Sequence, residues 1–313
     1  MKLSDRIGRR IKLHDLHVLM SVVQAGSMGK AAALLNTTQP AISKAIADLE
    51  HAIGVRLLDR SHQGVEPTIY GRTLLEGGVA VFDDLRQAVR KIEFQADPTV
   101  GHIAVGGTEV TIAVLLPPVI GRLRRQHPGL SVSVTTVVGP AQQFLDLRER
   151  KVDLIAGPIP SSIEQDIEAD ILFHDRIVVV AGPTNKWARR RKVELSELAG
   201  EPWILPPPDI LAGTRIADAF RACGMEFPPR GAVLGPILLL SPLVASGAFV
   251  ASCPVSVLRL GAGIPPLKML PVTLPIPARP VGIMTLKNRT LNPVTKLFIE
   301  YAREVVKPLA KGK

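Results

Sequence analysis

The sequence predicts an α/β chain with a mostly helical N-terminal part, and three observations predict it. Short apolar stripes at helical spacing fill the first fifty residues. A heptad-spaced segment follows over residues 70–94. From Pro98 onward, strand-like and helix-like segments alternate, the pattern of a parallel sheet covered on both faces. The 313 residues are about twice the common domain size of ~100–150, so two or three domains are expected. Apolar residues make up 46%, enough for a sizeable core, and 21% charged residues exclude a charge-rich disordered chain. Two cysteines, Cys223 and Cys253, exclude a disulfide scaffold and a cysteine-rich zinc module and fit a reducing cytosol. No apolar run follows the basic residues near the start, so no secretory signal is expected. Residues 231–258 carry no charge and exceed the ~20 residues of a membrane span. Pro236, Pro242, Pro254, Gly235 and Gly247 interrupt them, so buried strands and helices are expected there and no membrane.

The elements of the N-terminal part can be read in order. Leu13, Leu16, Leu19 and Val23 give a first amphipathic helix that Gly26 stops. Ser27 can cap a short second helix, 28–35, through its side-chain oxygen. Asn36 and Thr37 form a tight connection, Thr38 is a second N-cap, and Pro40 sits in the first turn of a third helix, where its missing donor costs little. Ile42, Ile46 and Leu49 form that helix's apolar stripe, which leaves Gln39, Pro40, Ser43, Lys44 and Ala47 on the other side. Two short helices with a tight turn, the second with small and polar residues near its start, match a helix-turn-helix over 28–47. A recognition helix must approach the major groove closely. Gln39 can bond a base edge, and Ser43, Lys44 and the helix start suit phosphates. An ordinary three-helix cluster with a solvated outer face fits the same pattern. The next segment, GVRLLDRSHQGVEPTI (54–69), adds a small β-hairpin wing, its return strand over Val65 to Ile69, with Arg60, His62 and Gln63 at or near the tip.

Three ordered stretches carry a resemblance: AGSMGKAAALLNTTQPAISKAIADLE (25–50), IGVRLLDR (53–60) and PTIYG (67–71). In them the chain resembles the LysR-type transcriptional regulators. Ser27, Ala31, Ala32, Leu35, Gln39, Pro40, Ser43, Ile46, Leu49, Glu50, Gly54, Leu57, Arg60, Thr68 and Gly71 stand where that pattern has them. Met28 and Leu58 replace aromatic residues at packing positions. The resemblance implies a winged helix-turn-helix over 1–69, a linker and dimerisation helix with a hinge over 70–97, and an effector-binding domain over 98–313. It implies that this last domain has a two-lobed, periplasmic-binding-protein-like α/β fold, with lobe one at 98–165 and 277–313 and lobe two at 166–276. DNA contacts are expected from Ser27, Thr37, Thr38, Gln39, Pro40, Ser43, Lys44, Arg60 and Thr68. It further implies a cytoplasmic protein that binds a double-stranded DNA operator, a homodimer through the linker helix, a homotetramer through the effector domains, and contact with RNA polymerase.

Gly78, Val81, Leu85, Ala88 and Ile92 follow heptad steps, with Phe82 and Val89 widening the stripe. Such a helix can equally pack on its own domain. Gly77 and Gly78 lower helix propensity by up to ~1 kcal/mol each and read as a close approach or a bend.

In the remaining two hundred residues, strands are expected at 102–105, 131–138, 152–156, 176–181, 203–205, 231–234, 249–252 and 281–286. Helices are expected at 110–125, with Pro117 and Pro118 placed to kink it, and at 141–150, 214–223, 243–246 and 293–306. The lobe crossings are expected near 161–174 and 269–279. Ligands of open α/β sheets bind outside the carboxyl ends of the strands. The loops there hold Gly106, Gly107, Thr108 and Glu109, then Gln142, then Pro206, Pro207, Pro208 and Asp209 on the facing lip. Gly107, Thr108, Glu109, Gln142 and Pro208 are therefore the expected effector-binding residues, two glycines allowing close approach and a helix start favouring an anion. Thr108 as a plain cap and Gln142 as an ordinary surface residue are the competing readings.

No nucleotide-binding, serine-hydrolase or zinc-protease motif occurs, and seven histidines show no metal spacing, so no enzyme, cofactor or metal is expected. The closely spaced cysteine pair of peroxide-sensing relatives is not reproduced. Cys223 and Cys253 read as buried small hydrophobes. The net charge of +10 divides into +4 over residues 1–72 and +6 beyond, so charge alone locates no face. A regulator switched by a small-molecule effector, an anion or a sugar, is the leading reading. A solute-binding module is the alternative. The C-terminal part is most similar to regulators of sugar uptake and aromatic-acid catabolism.

Overall fold

The computed structural model describes residues 7, 10–61, 64–227, 231–261 and 266–310. The chain forms two compact units, one running up to Gln87 and the other beginning at Ala88. The division falls inside the linker helix, whereas the sequence placed boundaries at its two ends.

The first unit contains α1 (Leu13–Ala25), α2 (Met28–Leu34), α3 (Gln39–Ile53), the hairpin β1 (Leu58–Ser61) and β2 (Gly64–Pro67), and the start of α4 (Ile69–Ala96). Gly26 adopts φ 68° and ends α1, and the Ser27 hydroxyl accepts from the Lys30 amide at 3.1 Å, as a cap should. Thr38 occupies the cap position of α3 without a side-chain bond. Leu19, Ile42, Ile46, Leu49 and Leu57 form the core, and Met28 and Leu58 are buried in it. The Glu50 carboxylate accepts from the amides of Leu57 and Leu58 at 2.7 and 3.2 Å, which fixes where the wing begins. Arg60 pairs with Val65 across the hairpin, whose return strand stops at Pro67, two residues before the expected end. His62 and Gln63 lie outside the described residues.

Helix α4 runs unbroken through Gly77 and Gly78. Gly78 is buried, and a Cβ there would sit 3.5 Å from the Met20 sulfur of α1. It therefore faces its own domain and leaves the expected seam. Val81, Leu85, Val89 and Ile92 stay exposed as an apolar row.

The second unit holds two five-stranded sheets. The first has the order β4-β3-β5-β12-β6, with β3 (Gly101–Gly107), β4 (Leu130–Thr136), β5 (Leu154–Pro158), β6 (Ile167–Asp175) and β12 (Arg279–Leu286). Helices α5 (Glu109–Val114), α6 (Leu116–Gln126), α7 (Gly139–Arg148) and α11 (Pro293–Ala310) accompany it. The second sheet has the order β11-β7-β10-β8-β9, with β7 (Ile177–Ala181), β8 (Trp203–Leu205), β9 (Val233–Leu234), β10 (Val250–Pro254) and β11 (Lys268–Met269). With it come α8 (Leu211–Ala222), α9 (Leu240–Ala245) and α10 (Val255–Leu260).

Three expectations change. Residues 167–175 pair with β12 along its whole length, so they belong to the first sheet and the second lobe begins later than residue 166. The sheets are mixed, because β12 runs antiparallel to both β5 and β6, and β10 antiparallel to β7. The helix expected over 110–125 is two helices. Leu115 separates them, and Pro117 and Pro118 open the second, where a proline costs no bond.

Candidate functional site

In the first unit, α3 presents its early residues outward. Thr37, Thr38, Gln39, Pro40 and Lys44 are exposed and Ser43 is half-buried, while Ile42 and Ile46 hold the opposite face in the core. The Gln39 side-chain oxygen lies 3.5 Å from where a Cβ on Gly29 would sit, an ordinary contact distance, so Gln39 rests beside the start of α2. Arg60 is exposed on β1. Thr68 differs from the expectation. Its hydroxyl donates to the Arg56 carbonyl at 2.8 Å and accepts from the Gly71 amide at 3.0 Å. That group joins the wing to α4, and both its bonds are spent inside the fold.

In the second unit, a cavity of about 630 Å³ lies between the two sheets. Lobe one contributes Thr108, Thr111 and Gln143, and lobe two contributes Pro207, Ile210 and Ser252. The volume is that of a small-molecule site. Helix α5 places Thr108 at the junction, because Val114 at its far end packs into the second lobe's core.

The expected residues fare differently. Thr108 lines the cavity and also caps α5, its hydroxyl 3.0 Å from that of Thr111 and accepting weakly from the Thr111 amide. Glu109 lines the cavity and is exposed. Gly107 is buried behind it. A Cβ there would meet Ile112 at 3.1 Å, so the glycine makes room for the protein's own side chain and not for a ligand. Gln142 points away and donates to Asp146 at 2.8 Å along its own helix. Its neighbour Gln143 takes the place expected of it: it is 4% exposed, and its Oε1 has no hydrogen-bond partner among the described residues. Pro208 is exposed and does not line the cavity. Pro206, Pro207 and Asp209 do, while the Pro208 carbonyl accepts from Thr214.

Other residues of the site were not foreseen. Ser252 on β10 is buried, and its Oγ also lacks a partner among the described residues. Asp175 lines the cavity and accepts from the Ser256 amide at 3.2 Å, capping α10. Burial nonetheless holds its carboxyl above the ordinary range. Cys253 is buried in the wall, with its thiol pushed up to about 12 by burial, so it is inert at neutral pH. Cys223 is exposed, contrary to the expectation that both cysteines are buried.

A winged helix-turn-helix followed by a two-lobed domain with a polar-dotted cavity defines a class: a DNA-binding regulator with a ligand-binding half. The comparisons with known proteins agree. Residues 13–72 match the bacterial regulatory helix-turn-helix protein model of the lysR family, and residues 96–307 match the LysR substrate binding domain. The HTH-type transcriptional regulator GbpR of Azospirillum brasilense is 26% identical over 288 residues, covering 91% of this chain and 83% of that protein. The fold is that of a full-length OxyR variant from Pseudomonas aeruginosa, with TM-score 0.66 and 20% identity over 97% of this chain and 99% of that one. It is also that of full-length CbnR complexed with its target DNA, with TM-score 0.60 and 21% identity over 94% and 100%. The chain belongs to the LysR family of transcriptional regulators. It is a DNA-binding transcription regulator with an effector-binding domain, as are its relatives, and not an enzyme.

Proposed function

We propose that a small molecule seated between the two lobes switches this regulator on its operator. The cavity carries the reading: two side chains that line it, one from each lobe, hold unpartnered polar atoms buried in its wall, Gln143 Oε1 and Ser252 Oγ. A buried polar atom left unpaired costs about 1–3 kcal/mol, which a turn of the side chain toward a bound ligand recovers. The ligand must favour one lobe arrangement over the other, since equal affinity for both shifts nothing. Thr108, Glu109 and Gln143 are the contacts from lobe one, and Pro207 and Ser252 those from lobe two. Gly107, Gln142 and Pro208 support the walls from outside.

On the DNA side, Gln39 reads a base edge, while Thr37, Thr38, Pro40, Ser43 and Lys44 meet the adjoining phosphates and sugars. The Ser27 hydroxyl caps α2 and keeps its proton for a phosphate. Arg60 on the wing reaches the backbone or minor groove. Thr68 positions the wing and touches no DNA. The CbnR structure holds its target DNA on the same fold, which supports this placement. The apolar row on α4 pairs two subunits, effector domains extend the pair to a tetramer, and the assembly acts on RNA polymerase in the cytoplasm, where its DNA lies. Electrophoretic shift with the DNA upstream of the gene tests the reading, with and without compounds that raise the melting temperature. Such compounds should alter the shifted pattern, and Ser252→Leu, which fills the cavity, should abolish their effect. Stabilising compounds that leave operator binding unchanged would overturn it.

A further inference from the structure

Two arginines, one from each lobe, line the cavity: Arg215 on α8 of the second lobe and Arg279 at the start of β12 in the first. Each donates to a backbone carbonyl, Arg215 to Pro277 and Arg279 to Ile159. Neither has a carboxylate within ion-pair distance among the described residues. Asp175 stands opposite Arg279 in the pairing of β6 with β12. Its carboxyl turns instead to the Ser256 amide at the start of α10. Glu109 and Asp209, the other acids of the lining, are exposed at the rim. Burial pulls both guanidinium groups below their ordinary value, and the charge of Arg279 adds to this at Arg215. No carboxylate pushes either one back up. Arginine stays charged in proteins, so two like charges are held together, partly desolvated and uncompensated.

We propose that Arg215 and Arg279 form an anion subsite that closes the two lobes on the carboxylate of an amphipathic ligand. The inference rests on the cavity being the effector site. An anion between the two would neutralise their repulsion and accept charge-assisted bonds from both lobes at once. The rest of the lining dictates the body of the ligand. Val137, Ile204, Ile210 and Leu240 are apolar, and Gln143 and Ser252 are uncharged polar side chains, each with an unpartnered atom in the wall. A carboxylic acid with an apolar body fits this wall, and an all-hydroxyl sugar does not. The start of α5, where the sequence placed the anion, belongs to a helix of 6 residues and carries Glu109 in its first turn, which repels one.

Thermal shift on the full chain tests this, with benzoate, phenylacetate, 4-hydroxybenzoate and hexanoate against the neutral amides of the same acids and against glucose. At least one carboxylate should raise the melting temperature and its amide should not. Arg215→Gln or Arg279→Gln should weaken that carboxylate about 10–100-fold, and Arg215→Lys should restore part of the loss. Each Gln variant removes a repulsion and a bond to a backbone carbonyl, so without ligand both should fold and melt close to wild type. Stabilisation by amides or glucose that is lost in Ser252→Leu would overturn the anion subsite and keep the cavity as the effector site. Carboxylate binding that survives both Gln variants and Ser252→Leu would overturn both readings. Failure of every carboxylate to stabilise the protein would overturn the subsite.

Discussion

The Arg289 guanidinium lies 2.8 Å from the Asp153 carboxylate, and both side chains are almost fully buried, at 2% and 4% exposure. Arg289 also donates to the Val152 carbonyl, and the second Asp153 oxygen accepts from the Ala104 amide at 2.9 Å. Arg90, near the end of α4, reaches the same carboxylate at 3.4 Å. One acid thus ties β3, the segment before β5, the segment after β12 and the linker helix together, so the helix end moves with the first lobe. Replacing a buried pair by apolar groups can be neutral, but removing one partner strands the other. Asp153→Ala should therefore cost about 3–5 kcal/mol, measured as a fall in the urea midpoint with an unchanged slope. A loss below about 1 kcal/mol would show that water reaches Arg289.

The apolar row on α4 makes a prediction about assembly. Val81, Leu85, Val89 and Ile92 are between 42% and 64% exposed, unusual for large apolar groups sharing one helix. Leu85→Asp should remove the pairing of subunits along this helix, seen as a lower mass by sedimentation, and operator affinity should fall with it. Two recognition helices must be held ~34–36 Å apart to read successive half-sites. An unchanged mass would place the pairing elsewhere.

Gln39 and Lys44 share the outer face of α3 and should fail differently. Gln39→Ala should cost about 1–3 kcal/mol at the operator and relax the preference at one base pair. Lys44→Ala should weaken operator and unrelated DNA alike and reduce the salt slope by about one. Titrations at several salt concentrations separate the two. Equal operator affinity of Gln39→Ala and wild type would remove Gln39 from base recognition.

The N-terminal unit was more legible in the sequence than the cavity, and the reason is the kind of signal each gives. Gly26, Ser27 and Pro40 announce helix ends by backbone chemistry, and the structure puts helix ends there. The cavity depends on helical phase, which end signals fix only to a residue or two. The sequence offers Gln142 from a loop over 139–143, but α7 begins at Gly139 and its phase puts Gln143 on the buried side. Strand β6 lies where the family resemblance placed a lobe crossing, and it is hard to read locally because IEADILFHD mixes charges into an edge strand, whose period is weak. Arg215 and Arg279 are 64 residues apart, so nothing local signals that they share a wall.

That one-residue slip makes the sharpest contrast available for the effector site. Gln142 is exposed and donates to the buried Asp146 carboxylate, so Gln142→Ala should lower stability by about 1.5–3 kcal/mol and leave ligand response intact. Gln143 lines the cavity and is buried with an unpartnered oxygen. Gln143→Leu keeps most of the volume and deletes an unsatisfied group. The ligand-free protein should then gain about 1 kcal/mol, a rise of ~2–4 °C in melting temperature for a unit of this size. The same change should weaken any compound that stabilises wild type through the cavity by about 2–10-fold, the worth of one neutral hydrogen bond. Opposite signs for free and bound protein are the signature of a polar atom kept for a ligand. A variant that melts lower without ligand would show that the amide serves the fold, and the reading of the cavity would lose its main support.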